Sequence, residues 1–486
     1  MNQSYDLRAA LDCLRPHPGQ LIETARSVNP RAEITGIYRY VGARGTVARP
    51  TKLGPAMLFR NVEGYPDASV LIGLLSDRAR VGLLLGVEPE RLGWVLKEAL
   101  EHPIAPVVIP NKGALCQENI YRAEESDFDL RRIIPAPLNT ETDAGPYITM
   151  GLCYAHDPEE GFGNITIHRL CIQGRDRITM GFGGEGTRHI GAFKEKARRL
   201  GRPLPISISI GVDPAIAEAS CFQSPATPLG FDELSIAGAL RGRPVELTHC
   251  LTIDEYAIAN AEYVIEGELY PDELTPEDVN TGTGEAMPEF AGYIGAAKTL
   301  PTIHVKAVTC RSHPIMQICI GASEEHVNMA GIPEEAGILQ MVDRALPGLV
   351  KNVYCPPSGG GKLMAILQIQ KRALTDEGKQ KQAALLAFGA CTELKNIMLV
   401  DEDVDIFDPH DVMWALNTRF KTDLDLSIIQ NVRCHGADPS QKPFYDPLMR
   451  DRGLATKTIF DCTVPFDLRE HFVRASFMEV DASEFL

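Results

Sequence analysis

The chain has 486 residues, of which 44% are hydrophobic and 23% are charged. This composition is typical of a soluble globular protein, and the length exceeds one ordinary hydrophobic core, so two or three domains are expected. The formal net charge of −17, from 48 basic and 65 acidic residues, argues against nucleic acid or an anionic membrane as a partner. A small molecule is the expected partner, and an anionic substrate would need a local positive pocket.

The twelve cysteines contain no Cys-x-x-Cys pair, which favours reduced thiols over a zinc ribbon or a disulfide framework. The N-terminal sequence has no apolar secretion core, and no segment reaches the length of a membrane span. These features predict a cytoplasmic protein without a membrane partner.

The first 130 residues predict a small α/β unit. Its predicted elements are a helix with Leu7, Leu11 and Leu14 on one face, strands at 56–59 and 81–85, and a helix around 92–99. A proline-rich, charged segment at 127–146 then indicates a domain boundary.

The middle of the chain is rich in predicted strands, which suggests a barrel-like sheet. The predicted strands are 147–155, 165–172, 206–212, 245–252, 263–269 and 303–309. An amphipathic helix is expected directly after His189, with Gly201 as its stop, and another is expected to open at 230–234.

After residue 320, helices and strands alternate, which predicts a second α/β domain. Its predicted elements are helix 333–346, strands 350–354 and 364–370, helix 377–388, strand 397–400, and a helix from Pro409 to Arg419 that Asp408 caps. The glycines before Lys362 lack the full phosphate-loop spacing, so they predict a tight turn first and leave Lys362 as a pocket candidate.

Groups able to hold a metal, a phosphate and a carboxylate recur in separate segments between residues 164 and 289. Asn164 and Arg169 lie on one predicted strand, and basic and imidazole groups at 188 and 189 precede a helix, where an anion or metal-phosphate site is favoured. Glu233 opens a helix, and two carboxylates follow in a Gly/Pro-hinged loop at 283–293. Each group alone has an ordinary structural explanation, so their order is what suggests a site.

That order resembles the UbiD family of decarboxylases, which use prenylated FMN. The resemblance covers nearly the whole chain and is closest to the 3,4-dihydroxybenzoate (protocatechuate) decarboxylases of that family. The stretches that carry it are RAEITGIYR at 31–39, TIHRLC at 166–171, Lys395, the acidic run at 400–419 and KTIFDCTVP at 457–465.

The resemblance implies an α/β (α+β) architecture in three parts. These are an N-terminal α/β segment (1–130), a split β-barrel that binds prenylated FMN (131–315) and an α/β oligomerisation domain (316–450), followed by a C-terminal tail (451–486). It also implies a homodimer or homohexamer, and a flavin prenyltransferase as the supplier of the cofactor.

The resemblance further implies a set of site residues. The expected metal ligands are Asn164, His189 and Glu233, which would hold Mn²⁺ or a similar divalent ion against the flavin phosphate, with K⁺ beside it. The expected cofactor-binding residues are Ile167, His168, Arg169, Arg188 and Lys395. The expected substrate-pocket residues are His326, Lys362 and His435.

Catalysis in the family uses a glutamate–arginine–glutamate set. Arg169 would hold the substrate carboxylate, and Glu289 would protonate the carbon that loses CO₂. The second glutamate of many members falls here on Gly284, so Glu285 is the nearest acid, with Glu277 or Asp278 as alternatives.

The function expected is reversible, non-oxidative decarboxylation of an aromatic acid, with 3,4-dihydroxybenzoate to catechol or a close phenolic acid favoured. Furan, pyrrole or indole carboxylates are the alternative substrates within the family. A flavin reductase is a more distant alternative, although no Rossmann glycine fingerprint accompanies the predicted barrel.

Overall fold

The computed structural model describes residues 5–43, 54–182, 189–436, 438–441, 453–481 and 483. The α-helices are α1 (Leu7–Leu14), α2 (Glu33–Ala43), α3 (Arg78–Leu85), α4 (Leu92–Glu101), α5 (Leu130–Ile133), α6 (His189–Arg199), α7 (Pro214–Ala219), α8 (Leu234–Arg241), α9 (Glu324–Ala345), α10 (Lys379–Ala390), α11 (Pro409–Arg419) and α12 (Thr422–Asp425). The strands up to the middle of the chain are β1 (Leu21–Val28), β2 (Ala56–Val62), β3 (Ser69–Ile72), β4 (Val107–Val108), β5 (Asn119–Arg122), β6 (Tyr147–His156), β7 (Gly163–Ile172), β8 (Arg177–Gly181), β9 (Leu204–Ile210), β10 (Glu246–His249) and β11 (Tyr256–Ile258). The remaining strands are β12 (Tyr263–Pro276), β13 (Glu285–Pro288), β14 (Ile294–Ala296), β15 (Thr299–Cys310), β16 (Ile315–Ile318), β17 (Val350–Tyr354), β18 (Met364–Ile369), β19 (Asn396–Asp401), β20 (Leu426–Arg433) and β21 (Leu454–Cys462).

The N-terminal unit is a four-stranded sheet in the order β1-β2-β3-β16, with helices packed around it. Helix α1 begins where Asp6 accepts a hydrogen bond from the Ala9 backbone N–H at 2.7 Å. The predicted strand at 81–85 is wrong, because these residues belong to α3. Asp77 caps that helix by accepting from the Ala79 N–H at 2.9 Å, and Gly86 ends it with a left-handed φ of 69°.

The middle of the chain forms a closed antiparallel barrel of six strands in the order β12-β9-β6-β7-β8-β15, and β12 pairs with β15 to close it. Strand β5 pairs with residues 307–310 of β15, beyond the residues 302–304 that pair with β8. β-branched residues dominate the barrel core, as expected for strands packed on a curved sheet; Ile178, Ile208, Ile265 and Ile303 are fully buried. A split β-barrel between two α/β units confirms the predicted fold class.

The C-terminal unit is a five-stranded mixed sheet in the order β17-β18-β19-β21-β20. Helix α9 begins at Glu324, nine residues before the predicted start at Pro333, because Ser323 caps it and the helix continues through the proline. The prediction placed Pro333 in the first turn of this helix, because N–H groups in the first turn have no hydrogen-bond partner within the helix, so proline loses little there. By contrast, α11 begins at Pro409 and ends at Arg419, as predicted.

Strand pairing crosses two of the predicted domain boundaries. Strand β16 follows the barrel in the chain but pairs in parallel with β3 of the N-terminal sheet. Strand β21 lies between β19 and β20, inside the C-terminal sheet and after the predicted boundary at 450. The three boundaries between the four predicted segments stay a prediction. Within the described part of the chain, no helix has both the length and the apolar character needed to cross a membrane.

Candidate active site

Three side chains from separate elements meet at one end of strand β7. Asn164 lies on β7, His189 is the first residue of α6, and Glu233 directly precedes α8. The Asn164 side-chain N–H group donates to Glu233 Oε2 at 2.6 Å, and its Nδ2 lies 3.1 Å from His189 Nδ1. His189 Nδ1 also lies 3.7 Å from Glu233 Oε1. The structure thus brings together all three predicted metal ligands, which we call the Asn164 cluster.

The Asn164 cluster has the chemistry of a cation site. Burial, followed by the neighbouring charge of Asp232, raises the pKa of Glu233 to about 8. Asn164 Oδ1 is buried and accepts no hydrogen bond among the described residues. A divalent cation would receive a lone pair from that oxygen and would favour the ionised form of Glu233. One amide oxygen, one imidazole nitrogen and one carboxylate suit Mn²⁺ or a similar ion better than a thiolate-type zinc site.

Five residues along the same strand, Arg169 lies between two carboxylates. Its Nη2 donates to Glu277 Oε2 at 2.8 Å and its Nη1 to Glu289 Oε1 at 3.0 Å. Burial opposes the charge, but the two carboxylates outweigh it and raise the pKa of Arg169. The Nε atom is buried and has no acceptor among the described residues. We call Glu277, Arg169 and Glu289 the Arg169 triad.

The two acids of the Arg169 triad differ in their surroundings. The Glu277 side chain is fully buried and accepts from Arg169, from the Tyr147 hydroxyl at 3.2 Å and from the Lys298 N–H at 3.0 Å. The Glu289 side chain is 37% exposed. Glu277 is therefore fixed as an acceptor that orients Arg169, whereas Glu289 can reach a molecule in the site.

The prediction that Glu285 orients Arg169 is wrong in its geometry. In the described structure no hydrogen bond or ion pair joins Glu285 to Arg169, and Glu277, which was one of the alternatives, is in contact instead. Glu285 begins β13 and faces Ala296 across the hairpin. Its Oε2 is buried without a partner among the described residues. Glu285 was favoured only by its spacing from Glu289 in the sequence. Glu277 directly follows the long strand β12, and the end of that strand cannot be located from the sequence.

A short hairpin formed by β13 and β14, residues 285–296, presents Glu289 to the site. The Glu289 N–H donates to the Tyr293 carbonyl at 2.8 Å and closes the turn, where Gly292 has a φ of 86°. A Cβ at Gly295 would lie 2.8 Å from Glu289 Oε1. Glycine at position 295 therefore leaves the space that the Glu289 carboxylate occupies.

Phe290, the next residue, contacts the C-terminal unit. Its ring centroid lies 6.1 Å from that of His326 and 5.2 Å from that of His435, and Lys362 Nζ lies 5.7 Å from it. The three predicted pocket residues thus surround one ring beside Glu289; we call these four residues the Phe290 cluster. Sequence reasoning did not assign Phe290, whose only signal was its position next to Glu289.

The glycine run before Lys362 forms the tight turn that the sequence predicted. Gly360 has a φ of 66°, and a Cβ there would lie 2.5 Å from the Phe290 ring. A Cβ at Gly361 would lie 2.5 Å from the Val327 carbonyl oxygen. These glycines allow the turn to approach both the hairpin and α9.

Replacing Gly360 by alanine is expected to destabilise the protein for two reasons. The backbone would hold a non-glycine residue in the left-handed region, and the new methyl group would crowd the Phe290 ring. Overpacking of this kind costs about 1–3 kcal/mol beyond the backbone term. Gly378→Ala is the matched control, since Gly378 has a φ of 86° with nothing within 4 Å. Denaturant midpoints of both variants measure the difference, and equal losses would exclude a steric role for the Phe290 contact.

The other predicted cofactor residues are less closely grouped. Ile167 and His168 lie on β7, and His168 Nδ1 is 3.1 Å from the Gly181 carbonyl oxygen. Lys395 lies just before β19, and its Nζ is 2.9 Å from Asp438 Oδ2 in the C-terminal unit. Arg188 lies outside the described residues.

Known proteins are similar to this chain over nearly its whole length. Three family models match: the 3-octaprenyl-4-hydroxybenzoate carboxy-lyase N-terminal domain at residues 14–100, its Rift-related domain at 107–324 and its C-terminal domain at 327–462. A gallate decarboxylase of Lactiplantibacillus plantarum is 50% identical over 480 residues, which cover 98% of each chain. The apo 3,4-dihydroxybenzoic acid decarboxylase of Enterobacter cloacae superposes with a TM-score of 0.93 at 50% identity, covering 100% of this chain and 99% of that one.

A UbiD-class enzyme of Pelotomaculum thermopropionicum, solved in an evolved dimeric form with prFMN, has a TM-score of 0.83 at 32% identity, with 99% of each chain covered. The chain therefore belongs to the UbiD family and is a carboxy-lyase. These matches do not support the flavin reductase alternative.

Proposed function

We propose that the protein removes CO₂ from a phenolic aromatic acid, most directly 3,4-dihydroxybenzoate to give catechol, with prenylated FMN as cofactor. The Arg169 triad is the observation that carries the proposal. It combines a guanidinium that is oriented by a buried acid with a second, accessible acid. Gallate and 3,4-dihydroxybenzoic acid, the substrates named for two relatives, are both phenolic acids.

The Asn164 cluster and the Arg169 triad lie at opposite ends of one strand segment. Asn164 and Arg169 are five residues apart on β7, or about 17 Å along an extended strand. This spacing suits a long cofactor with a phosphate at one end and a reactive ring at the other. We assign Asn164, His189 and Glu233 to the divalent ion and phosphate end, and Ile167, His168 and Arg169 to the flavin along the strand.

Held by the residues assigned above, prenylated FMN would supply an electrophilic centre able to take up the electron pair left when CO₂ departs. The chain must then bind the substrate carboxylate and return a proton to the ring carbon. Arg169 can bind the carboxylate, since its buried Nε still lacks an acceptor among the described residues. Glu289 Oε1 lies 3.0 Å from Arg169 Nη1, so a proton on Glu289 would be delivered beside the bound carboxylate.

Substrate choice is assigned to the Phe290 cluster. His326 and His435 can donate or accept at ring hydroxyls, and Lys362 can donate to them. Furan, pyrrole and indole carboxylates lack such hydroxyls and are the alternative substrates.

Several parts of the proposal rest on the family resemblance. These are K⁺ beside the divalent ion, Arg188 and Lys395 as phosphate ligands, a homodimer or homohexamer, and a flavin prenyltransferase as cofactor supplier. We place the reaction in the cytoplasm, where the twelve free cysteines would stay reduced.

The test is CO₂ release by protein coexpressed with a flavin prenyltransferase, measured over a panel of phenolic, furan, pyrrole and indole carboxylic acids. Turnover of 3,4-dihydroxybenzoate or gallate that depends on the coexpressed prenyltransferase is the expected result. Turnover confined to the heteroaromatic acids would favour the alternative, and no release from any acid would refute the proposal.

Replacing His189 by alanine is expected to give folded protein that purifies with little flavin or divalent metal, because the Asn164 cluster loses its nitrogen ligand. Flavin absorbance and metal content measure the effect. His304→Ala is the matched control, since His304 pairs with Glu273 away from the cluster at 2.7 Å. Full flavin and metal occupancy in the His189 variant would remove the metal assignment.

A further inference from the structure

Glu393 is a carboxylate of the C-terminal unit that the reaction proposed above does not use. It lies two residues before Lys395, and its side chain is only 15% exposed. Its Oε2 lies 3.3 Å from Lys362 Nζ, and its Oε1 lies 3.3 Å from His435 Nε2. One largely enclosed acid thus contacts two members of the Phe290 cluster.

The contact with Glu393 favours a proton on one of the two nitrogens of His435. An ionised carboxylate attracts a proton on the nearer nitrogen, and Glu393 Oε1 lies 3.3 Å from Nε2. Burial is the largest influence on His435 and lowers its pKa, although Glu393 acts in the opposite direction. In the neutral ring with a proton on Nε2, Nδ1 is the acceptor nitrogen.

Lys362 provides the complementary group. Its ammonium lies 3.3 Å from Glu393 Oε2 and 5.7 Å from the centroid of the Phe290 ring. An ammonium donates hydrogen bonds and accepts none. Glu393 therefore places a donor, Lys362, and an imidazole with one acceptor nitrogen, His435, around the same aromatic ring.

We propose that Glu393 is a positioning residue that makes the pocket selective for rings with two adjacent hydroxyl groups. One hydroxyl of such a ring can donate to His435 while the oxygen of the other accepts from Lys362. A ring with one hydroxyl can satisfy only one of these partners. This inference rests on the proposed function, because it assigns the Phe290 cluster to the substrate ring.

The test compares catechol with phenol as inhibitors of 3,4-dihydroxybenzoate turnover by the holoenzyme. Wild-type protein is expected to bind catechol more tightly than phenol. In the Glu393→Gln protein, the neutral amide at position 393 cannot act as a charged acceptor for both Lys362 and His435. The catechol preference is therefore expected to fall about tenfold, the value of one charge-assisted hydrogen bond. KM for 3,4-dihydroxybenzoate should rise, whereas kcat should stay within a few-fold of the wild-type value. A general structural defect would weaken both inhibitors equally and leave the preference unchanged, which would overturn the inference.

Glu377→Gln is the matched control. Glu377 is also an acid of the C-terminal unit that contacts a lysine, with its Oε1 2.9 Å from Lys371 Nζ, and its replacement is expected to leave the catechol preference unchanged. An equal loss in this control would overturn the specific role of Glu393. If the Glu393→Gln protein does not fold, Glu393→Asp decides: its shorter side chain should lower the preference partway, and an unchanged preference overturns the inference. Wild-type holoenzyme that releases no CO₂ from phenolic acids would instead refute the proposed function, and the inference with it.

Discussion

Glu289→Gln is expected to lower kcat for decarboxylation by about 10²–10⁴-fold, the usual cost of removing a general acid. The amide keeps the size of the side chain and can still contact Arg169, but it has no carboxyl proton to deliver. Bound flavin should stay at the wild-type level, because the Asn164 cluster is unchanged. Initial rates of CO₂ release and flavin absorbance measure the two quantities on one preparation.

Glu273→Gln is the control for this prediction. Glu273 is an acid of β12 that is 44% exposed and pairs with His304 rather than with Arg169. Its replacement should leave turnover near the wild-type rate. A Glu289 variant that turns over as fast as this control would show that the proton comes from another group.

Arg169→Lys is expected to lower kcat/KM by about 10²–10³-fold. This is the usual cost of removing one hydrogen-bond donor that stabilises negative charge in the transition state. Lysine keeps the charge but cannot contact Glu277, Glu289 and a substrate carboxylate in the fixed planar geometry of a guanidinium. Arg177→Lys is the matched control, since Arg177 forms a half-exposed pair with Asp176 at 2.8 Å. Equal, small effects in both variants would remove Arg169 from the proposed catalytic set.

The same assay decides between the two candidate partners of Arg169. Glu277→Gln removes the charge from the buried acid that contacts the guanidinium, and a loss of turnover is expected. Glu285→Gln should have a much smaller effect, because no bond joins Glu285 to Arg169 in the described structure. The reverse order would restore Glu285 as the orienting acid.

Local signals in the sequence predicted some elements well. Helix α11 was found because Asp408 and Pro409 mark a helix start on their own. Strand 350–354 matches β17 because three of its five residues, Val350, Val353 and Tyr354, are β-branched or aromatic. Residues 81–85 were wrongly predicted as a strand, because a short apolar run does not distinguish a strand from a buried helix.

The site was less accessible from the sequence. Similarity to the family supplied Asn164, His189 and Glu233, and the structure brings them together because β7, α6 and α8 meet at one end of the barrel. Glu277 and Glu393 reach the site only through long-range contacts, and no local pattern marks either residue. Phe290 likewise gains its neighbours from a separate unit of the chain.

Hydrogen exchange into the aromatic product tests the central claim most directly. Catechol incubated in D₂O with wild-type holoenzyme should incorporate deuterium at the ring carbon that would carry the carboxylate, because Glu289 exchanges its proton with solvent and transfers it to that carbon. The Glu289→Gln holoenzyme, with the same flavin content, should lose this exchange. Exchange at the wild-type rate in the variant would contradict the assignment of Glu289 as the proton donor.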